Sequence, residues 1–317
     1  MNVVVTGASG FLGGLIARAL VSRGRLVTSV GRTDPGIAGI THVDWDLTGP
    51  APAAIRSLAE RRPAVVHAAA LTPRVPGTPE PAPESFHAVN VTGTRAVVDA
   101  FAASRLIHLS TTAVYDPQVP HEELFEEAGP VEQVRYLSPY QASKAQAEAV
   151  ISRVHRDSLI LRPAPVYAPW DHSDPYLVPF IGAHTHKDVL ALPGGGREPV
   201  SLCAPENLVS AVLAGLEHPE VTGPVNVADP SAYLPEHVVN PLMARAGLEP
   251  VKVDAQPADL ARVKARAAQR GLAWGKRAHR WPLPAVVWIT ASRTYDLTRL
   301  GRLLFVDPVD GLSAALD

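Results

Sequence analysis

Cysteine is almost missing from this chain of 317 residues: Cys203 stands alone, which excludes a disulfide within the chain and suits a reducing cytoplasm. Long apolar runs are missing as well; none reaches the roughly 20 residues of a membrane span, so no integral membrane contact is expected. The first residues do not read as a signal peptide, because a strand-like run starts at Asn2 and is too short for a leader. Neither sign of charge is in excess. The 29 basic and 31 acidic residues leave a net charge of −2 and a pI of about 6.6, which argues against nucleic acid as a partner. These absences together suit a cytoplasmic protein whose main partner is not nucleic acid. What is present supports a substantial core: 46% of the residues are hydrophobic. The 31 prolines read as rigid loops rather than disorder, since strong apolar runs separate them.

The most informative stretch is the first twenty residues. Val3 to Val5 form a β-branched run suited to a strand buried on both faces, and Leu12, Leu15, Ile16, Ala19 and Leu20 then recur with helical period. Between strand and helix lie Gly7, Gly10 and Gly13. Gly7 permits a tight turn, Gly10 admits a pyrophosphate to the backbone, and Gly13 lets the helix pack against the sheet, while the helix N-terminus offers N–H groups and positive partial charge. This context predicts dinucleotide binding. A second strand, Leu26–Val30, ends in Gly31-Arg32, where an acidic residue would accept from a ribose 2′-hydroxyl and an arginine would meet a 2′-phosphate. Arg32 therefore favours NADP over NAD, with Asp34 as the residue able to reverse that. Asp46, at the exit of a third strand over 42–47, could accept from the adenine amino group or serve as a turn or cap residue.

The fourth strand, Ala64–His67, runs into Ala68, Ala69 and Ala70, small enough for a cofactor to lie on the backbone; His67 reads as structural. A helix over 86–103 carries Asn90 in its middle, where asparagine is locally unfavourable and is expected to hold a buried water or carbonyl. A fifth strand, Leu106–Ser110, ends in the hydroxyls of Ser110, Thr111 and Thr112, and residues 116–137 read as loop. Pro139 then starts a helix on which Tyr140 and Lys144 share a face. A phenol with an ordinary pKa of about 10 is a poor base at neutral pH. An ammonium one turn away stabilises its anion, so such a tyrosine can exchange a proton with a carbonyl or alcohol oxygen.

Taken together, Thr6-Gly7-Ala8-Ser9-Gly10-Phe11-Leu12-Gly13, Val66-His67-Ala68-Ala69, Asn90-Val91-Thr92-Gly93-Thr94, Ser110 through Tyr115, Tyr140 through Lys144 and Arg162 through Tyr167 resemble the extended short-chain dehydrogenases/reductases along nearly the whole chain. The resemblance implies an α/β Rossmann fold, a doubly wound parallel sheet with a smaller C-terminal substrate lobe: residues 1–166 form the dinucleotide domain, 200–228 return to it, and 167–317 build the lobe. It implies Tyr140 as general acid/base, Lys144 binding the nicotinamide ribose and tuning Tyr140, and Thr111, ahead of Thr112, polarising the substrate oxygen. Cofactor contacts are expected from Gly7, Ser9, Gly10, Phe11, Leu12, Gly13, Arg32, Asp46, Leu47, Ala68, Ala69, Ala70, Asn90, Tyr140, Lys144, Pro163 and Val166. The family's habit also suggests a homodimer.

Substrate contacts are expected from Thr112, Trp170, Tyr176 and Arg197, with His172 and Phe180 as further bulky pocket candidates. His184, His186 and Asp188 could suggest a metal, but no further ligand motif surrounds them and none is expected. The basic stretch over 256–281 reads as a solvated helix covering the lobe, with Leu260, Val263 and Leu272 as its apolar side. Nucleotide-sugar members of the resembled family commonly carry asparagine where Pro165 stands here. The segment from Gln256 to Asp296 is closer to the 3β-hydroxysteroid-dehydrogenase and β-keto-acid-reductase branch. The expectation is hydride transfer at a secondary alcohol or ketone of a lipid-like or natural-product substrate. The alternative is a nucleotide-sugar epimerase or dehydratase; a cofactor-sensing protein without turnover would be expected to have lost the Tyr-Lys pair.

Overall fold

The structure, a computed structural model, describes residues 2–74, 79–126, 129, 134–155, 157–167, 177–271, 281–304 and 308–312. Its centre is a seven-stranded parallel sheet, the Rossmann arrangement expected from the sequence. In chain order the elements begin β1 (Asn2–Thr6), α1 (Phe11–Ser22), β2 (Leu26–Gly31), β3 (Ile40–Asp44), α2 (Ala53–Ala59), β4 (Ala64–His67), α3 (Pro83–Phe86), α4 (Gly93–Ala100) and β5 (Leu106–Leu109). They continue β6 (His121–Leu124), α5 (Pro139–Val154), β7 (Leu159–Pro163), α6 (Leu177–His184), β8 (Thr185–His186), β9 (Val189–Pro193), α7 (Pro205–Glu217) and β10 (Gly223–Val227). The last are α8 (Pro235–Arg245), β11 (Lys252–Gln256), α9 (Ala258–Gln269), α10 (Leu283–Ile289), β12 (Arg293–Tyr295) and α11 (Thr298–Leu304).

The sheet order is β10-β7-β5-β4-β1-β2-β3, so the direction of winding reverses between β1 and β4. A crevice opens beyond the carboxyl ends of strands at such a reversal. The strands are apolar on both faces because both are covered. Val3 and Val5 of β1, with Ile107, Leu159 and Leu161, pack under α1 and α7; Val4, Leu106 and Ile160 pack on the other face with Ile55, Val97 and Ile151. A third core gathers Leu190, Leu192, Val238, Leu242, Trp281, Val286 and Ile289 in a smaller lobe. No helix among the described residues is long and apolar enough to cross a membrane.

Several local expectations are corrected. The helix expected over 86–103 begins at Pro83, ends at Ala100 and contains a π-helical stretch, His87–Thr92, between α3 and α4. Such an inserted residue breaks the regular hydrogen-bond ladder, and here the stretch carries Asn90. The segment 116–137 is not all loop: β6 pairs in parallel with β12, some 170 residues later in the chain. Val200 makes isolated bridges to Tyr233 and Arg293. On α9 it is Ala261 and Ala265 that face the core, while Leu260 and Val263 are exposed and Leu272 lies outside the described residues.

A buried ion pair fastens the sheet to α5. Arg162 of β7 lies 2.7 Å from Glu148, both almost fully enclosed, and its guanidinium also donates to the Tyr115 hydroxyl and to the Glu126 and Gly129 carbonyls. Glu148 accepts in addition from the Ser110 hydroxyl. Removing one partner of such a pair strands a buried charge. Urea denaturation of Glu148→Ala is therefore expected to show a loss of about 3–5 kcal/mol, with Glu148→Leu combined with Arg162→Leu losing less.

Candidate active site

The cradle follows from backbone sterics. Gly7 has φ +73°, and a Cβ there would lie 2.7 Å from Ala69 Cα; a Cβ on Gly13 would lie 2.2 Å from the Gly7 carbonyl oxygen. Only glycines let β1, α1 and the β4 turn approach this closely. The start of α1 has no side-chain cap at Gly10 and no acidic residue in its first turn. Its partial positive charge is thus left to face the crevice, which is the arrangement a pyrophosphate requires. The donor chemistry of this turn fits a dinucleotide.

The crevice is a cleft of about 450 Å³. Gly7, Ser9, Gly10, Phe11, Leu12 and Gly13 line one end, with Arg32, Asp46 and Leu47 beyond them; Ala68, Ala69 and Ala70 form the floor; Thr111, Tyr140, Lys144, Pro163 and Val166 lie at the other end. The fold therefore brings together every expected cofactor residue but one. Asn90 does not line the cleft, because its carboxamide is taken up by protein: Oδ1 accepts from Leu71 N at 2.7 Å, and Nδ2 donates to Leu71 O at 3.0 Å and Ser143 Oγ at 2.9 Å. It ties the loop after β4 to α5, as the carbonyl-holding alternative anticipates.

Arg32 is exposed at the mouth, close enough to Asp46 to help hold that carboxyl below its usual range, after the backbone and side-chain hydrogen bonds from Thr48. Both Thr48 bonds land on Asp46 Oδ1, an arrangement that serves the turn. Asp34 accepts from Gly36 N in a turn of its own and does not line the cleft.

Of the expected substrate residues, Thr112 lies beneath the cleft in a side pocket and Arg197 stands outside both, 74% exposed and 4.0 Å from Glu236. Trp170, His172 and Tyr176 fall outside the described residues. Phe180 packs against His184 at 4.4 Å and meets Trp281 edge-on at 5.4 Å between ring centroids, in the lobe's core rather than in the cleft.

At the reaction end, Thr111 Oγ1 accepts from Ala113 N at 3.2 Å, which leaves the hydroxyl hydrogen available to an incoming oxygen. Lys144, 2% exposed, donates to Leu109 O at 2.7 Å and to His108 Nε2 at 3.3 Å. An ammonium has three hydrogens; two are anchored below, and the third is left for the cleft. Burial lowers the pKa of Lys144 from 10.5 to about 8, against the opposing pull of Glu148.

Sequence reasoning missed His108. Its only signal is a polar residue inside the apolar strand Leu106–Leu109. Burial first, then Lys144 and His67, hold its pKa well below the ordinary range, so it is neutral and accepts through Nε2. His67, 5.1 Å away ring to ring, is kept neutral at about 3 by burial and by Lys144. Its protons can be assigned from its partners. Ala69 N–H donates to Thr6 Oγ1, Thr6 O–H donates to His67 Nδ1, His67 Nε2–H donates to Thr94 Oγ1, and Thr94 O–H donates to Asn90 O. This relay fixes the cradle floor to the π-helical stretch, the structural role expected of His67.

The sequence model of the NAD dependent epimerase/dehydratase family matches residues 3–228, a span that holds the cradle, Thr111, Tyr140 and Lys144. This chain belongs to that family. It is thereby one of the extended short-chain dehydrogenases/reductases, a class of NAD-dependent enzymes. The chain is 30% identical over 232 residues to the 2-alkyl-3-oxoalkanoate reductase of Stenotrophomonas maltophilia, a match taking in 68% of this chain and 66%, just under two thirds, of that relative. Its fold is similar to that of UDP-glucuronic acid 4-epimerase from Bacillus cereus in complex with UDP-glucuronic acid and NAD, with TM-score 0.67, 19% identity, and coverage of 100% of this chain and 96% of that one. A short-chain dehydrogenase/reductase superfamily protein from Agrobacterium tumefaciens with bound NAD gives TM-score 0.64 at 21% identity, covering 95% and 99%.

The buried lysine has a measurable consequence for this family member. A lysine whose folded pKa is lowered is a burden on the native state below about 8, and the burden lifts as pH rises from about 8 to 10.5, where the unfolded chain holds the extra proton. Against Lys144→Met in denaturation at each pH, the wild-type protein should gain stability across that window, by on the order of 3 kcal/mol in total.

Proposed function

We propose that this protein interconverts a ketone and a secondary alcohol on a lipid-like or natural-product substrate, with NADP as the favoured cofactor and NAD as the alternative. One observation carries the proposal: Lys144, pinned from below, lines the same end of the cleft as Tyr140 and Thr111. The similarity to a 2-alkyl-3-oxoalkanoate reductase supports a ketone-reducing activity. The nucleotide-sugar alternative finds less support, since Pro165 offers no side-chain donor in the cleft and Arg197 stands away from it. For the cofactor, Arg32 at the mouth and Asp34 closed into its own turn both support a 2′-phosphate.

When bound, the reduced nicotinamide supplies hydride to the carbonyl carbon; the residues have to manage the oxygen and its proton. Thr111 donates its hydroxyl hydrogen to the carbonyl oxygen and holds it in place. Tyr140 donates its phenolic proton to that oxygen, which leaves an alcohol and a phenolate. The Lys144 ammonium favours that phenolate, and because its Nζ is held by Leu109 and His108 it does so without first being ordered. In the oxidative direction the same groups act in reverse. Gly7, Gly10 and Gly13 with the α1 N-terminus would hold the pyrophosphate, and Ala68 to Ala70 would give the cofactor a small-residue surface to lie on.

Two variants test this. Tyr140→Phe should lower kcat by roughly 10²–10⁴-fold, the scale of a lost general acid, while NADPH affinity by fluorescence titration stays within about threefold; unchanged turnover removes Tyr140 from the chemistry. Arg32→Asp should weaken NADPH binding by about tenfold or more and spare or improve NADH binding, by exchange of a phosphate partner for a ribose acceptor.

A further inference from the structure

Beside the cleft lies a second pocket of about 120 Å³ that shares Thr111 and Pro165 with it. Gln141, the neighbour of Tyr140, is also on its wall, so the pocket opens at the reaction end. Its far side is formed by Pro284 and Trp288 of α10 and by Arg293 and Tyr295 of β12. None of these was singled out as a substrate contact in the sequence.

Most of the polar side-chain groups on this wall are engaged by the protein itself. Arg293 donates to the Val119, Pro117 and Val287 carbonyls. His121 donates through Nε2 to Asp116 O at 2.7 Å, and its Nδ1 faces the Tyr295 hydroxyl at 3.4 Å. Burial, then Arg293, hold His121 neutral with a pKa of about 4. Tyr115 donates to Asn226 Oδ1 at 2.6 Å, Thr112 is hydrogen-bonded to Tyr295, and Gln141 Oε1 accepts from Leu137 N at 3.0 Å. A hydroxylated group entering here would exchange its water for a wall whose donors and acceptors are mostly committed, at a cost that few new hydrogen bonds offset. An apolar group loses nothing and gains contact with proline and indole surface.

We propose that this side pocket is a substrate subsite for a compact apolar substituent, an alkyl or alicyclic group, carried directly on the reacting carbonyl carbon. The proposal rests on the oxidoreductase reading above, because it needs the substrate oxygen at Thr111. With the oxygen there, one substituent of the carbonyl points into the pocket and the other back along the cleft. At roughly 30 Å³ for a group the size of a water or methylene, the volume takes about four carbons.

The test is NADPH-linked reduction of a series of unbranched methyl ketones, butanone to 2-decanone. In the wild type kcat/KM should rise about fourfold per methylene, the yield of burying one, and level off or fall once the chain exceeds about four carbons. In Trp288→Ala the break point should move out by three or more carbons, and in Trp288→Phe by about one. NADPH binding by fluorescence reports that each variant is folded. A break point that stays put in Trp288→Ala, or no dependence on chain length, overturns the subsite and leaves the oxidoreductase reading standing. A wild-type protein that binds NADPH and reduces no ketone of the series overturns both.

Discussion

Lys144 donates from beneath the cleft to the Leu109 carbonyl and to His108, and those two hydrogen bonds constrain the rest of the site. They hold a cation where burial disfavours it, which lowers its pKa and leaves its remaining N–H for whatever fills the cleft. Helix α5 supplies the lysine and Tyr140 on one face, and the same helix supplies Glu148 to the buried arginine of β7. One helix therefore places the reactive pair and fastens it to the sheet.

The polar interior under the cleft has a division of labour. The Arg162, Glu148 and Tyr115 cluster joins β7, α5 and the segment after β5, while the relay from Ala69 through His67 to Asn90 joins the cradle floor to the π-helical stretch. Partnered buried polar groups stabilise a single geometry, because any displacement leaves a donor or acceptor without a partner. The cleft is thus set between two hydrogen-bonded frames, and a cofactor would meet a surface already in place.

The cradle, the small-residue floor and the Tyr-Lys pair were legible in the sequence because each rests on local rules: glycine conformational freedom, strand burial and the helical repeat. The role of Asn90 was legible only as a choice between partners, since its contacts to Leu71 and Ser143 come from distant parts of the chain. His108 was hidden, because nothing local distinguishes a histidine that anchors a lysine 36 residues away from one that fills a core. Strand β6 was missed for a related reason: His-Glu-Glu-Leu has little strand propensity of its own, and its partner β12 lies near the other end of the chain. The apolar side of α9 was misread because the small residues Ala261 and Ala265 suit close packing, and the larger Leu260 and Val263 were left outside.

The claim most open to direct measurement is that Lys144 is a tuned cation coupled to the cofactor site. The chain has only five lysines, so nitrogen-15 NMR of their ammonium groups can resolve each one. The account predicts one signal, absent in Lys144→Met, that titrates near pH 8 and shifts when NAD⁺ is added. Five signals that all titrate at about 10.4, the ordinary lysine value, with none responding to NAD⁺, would contradict it.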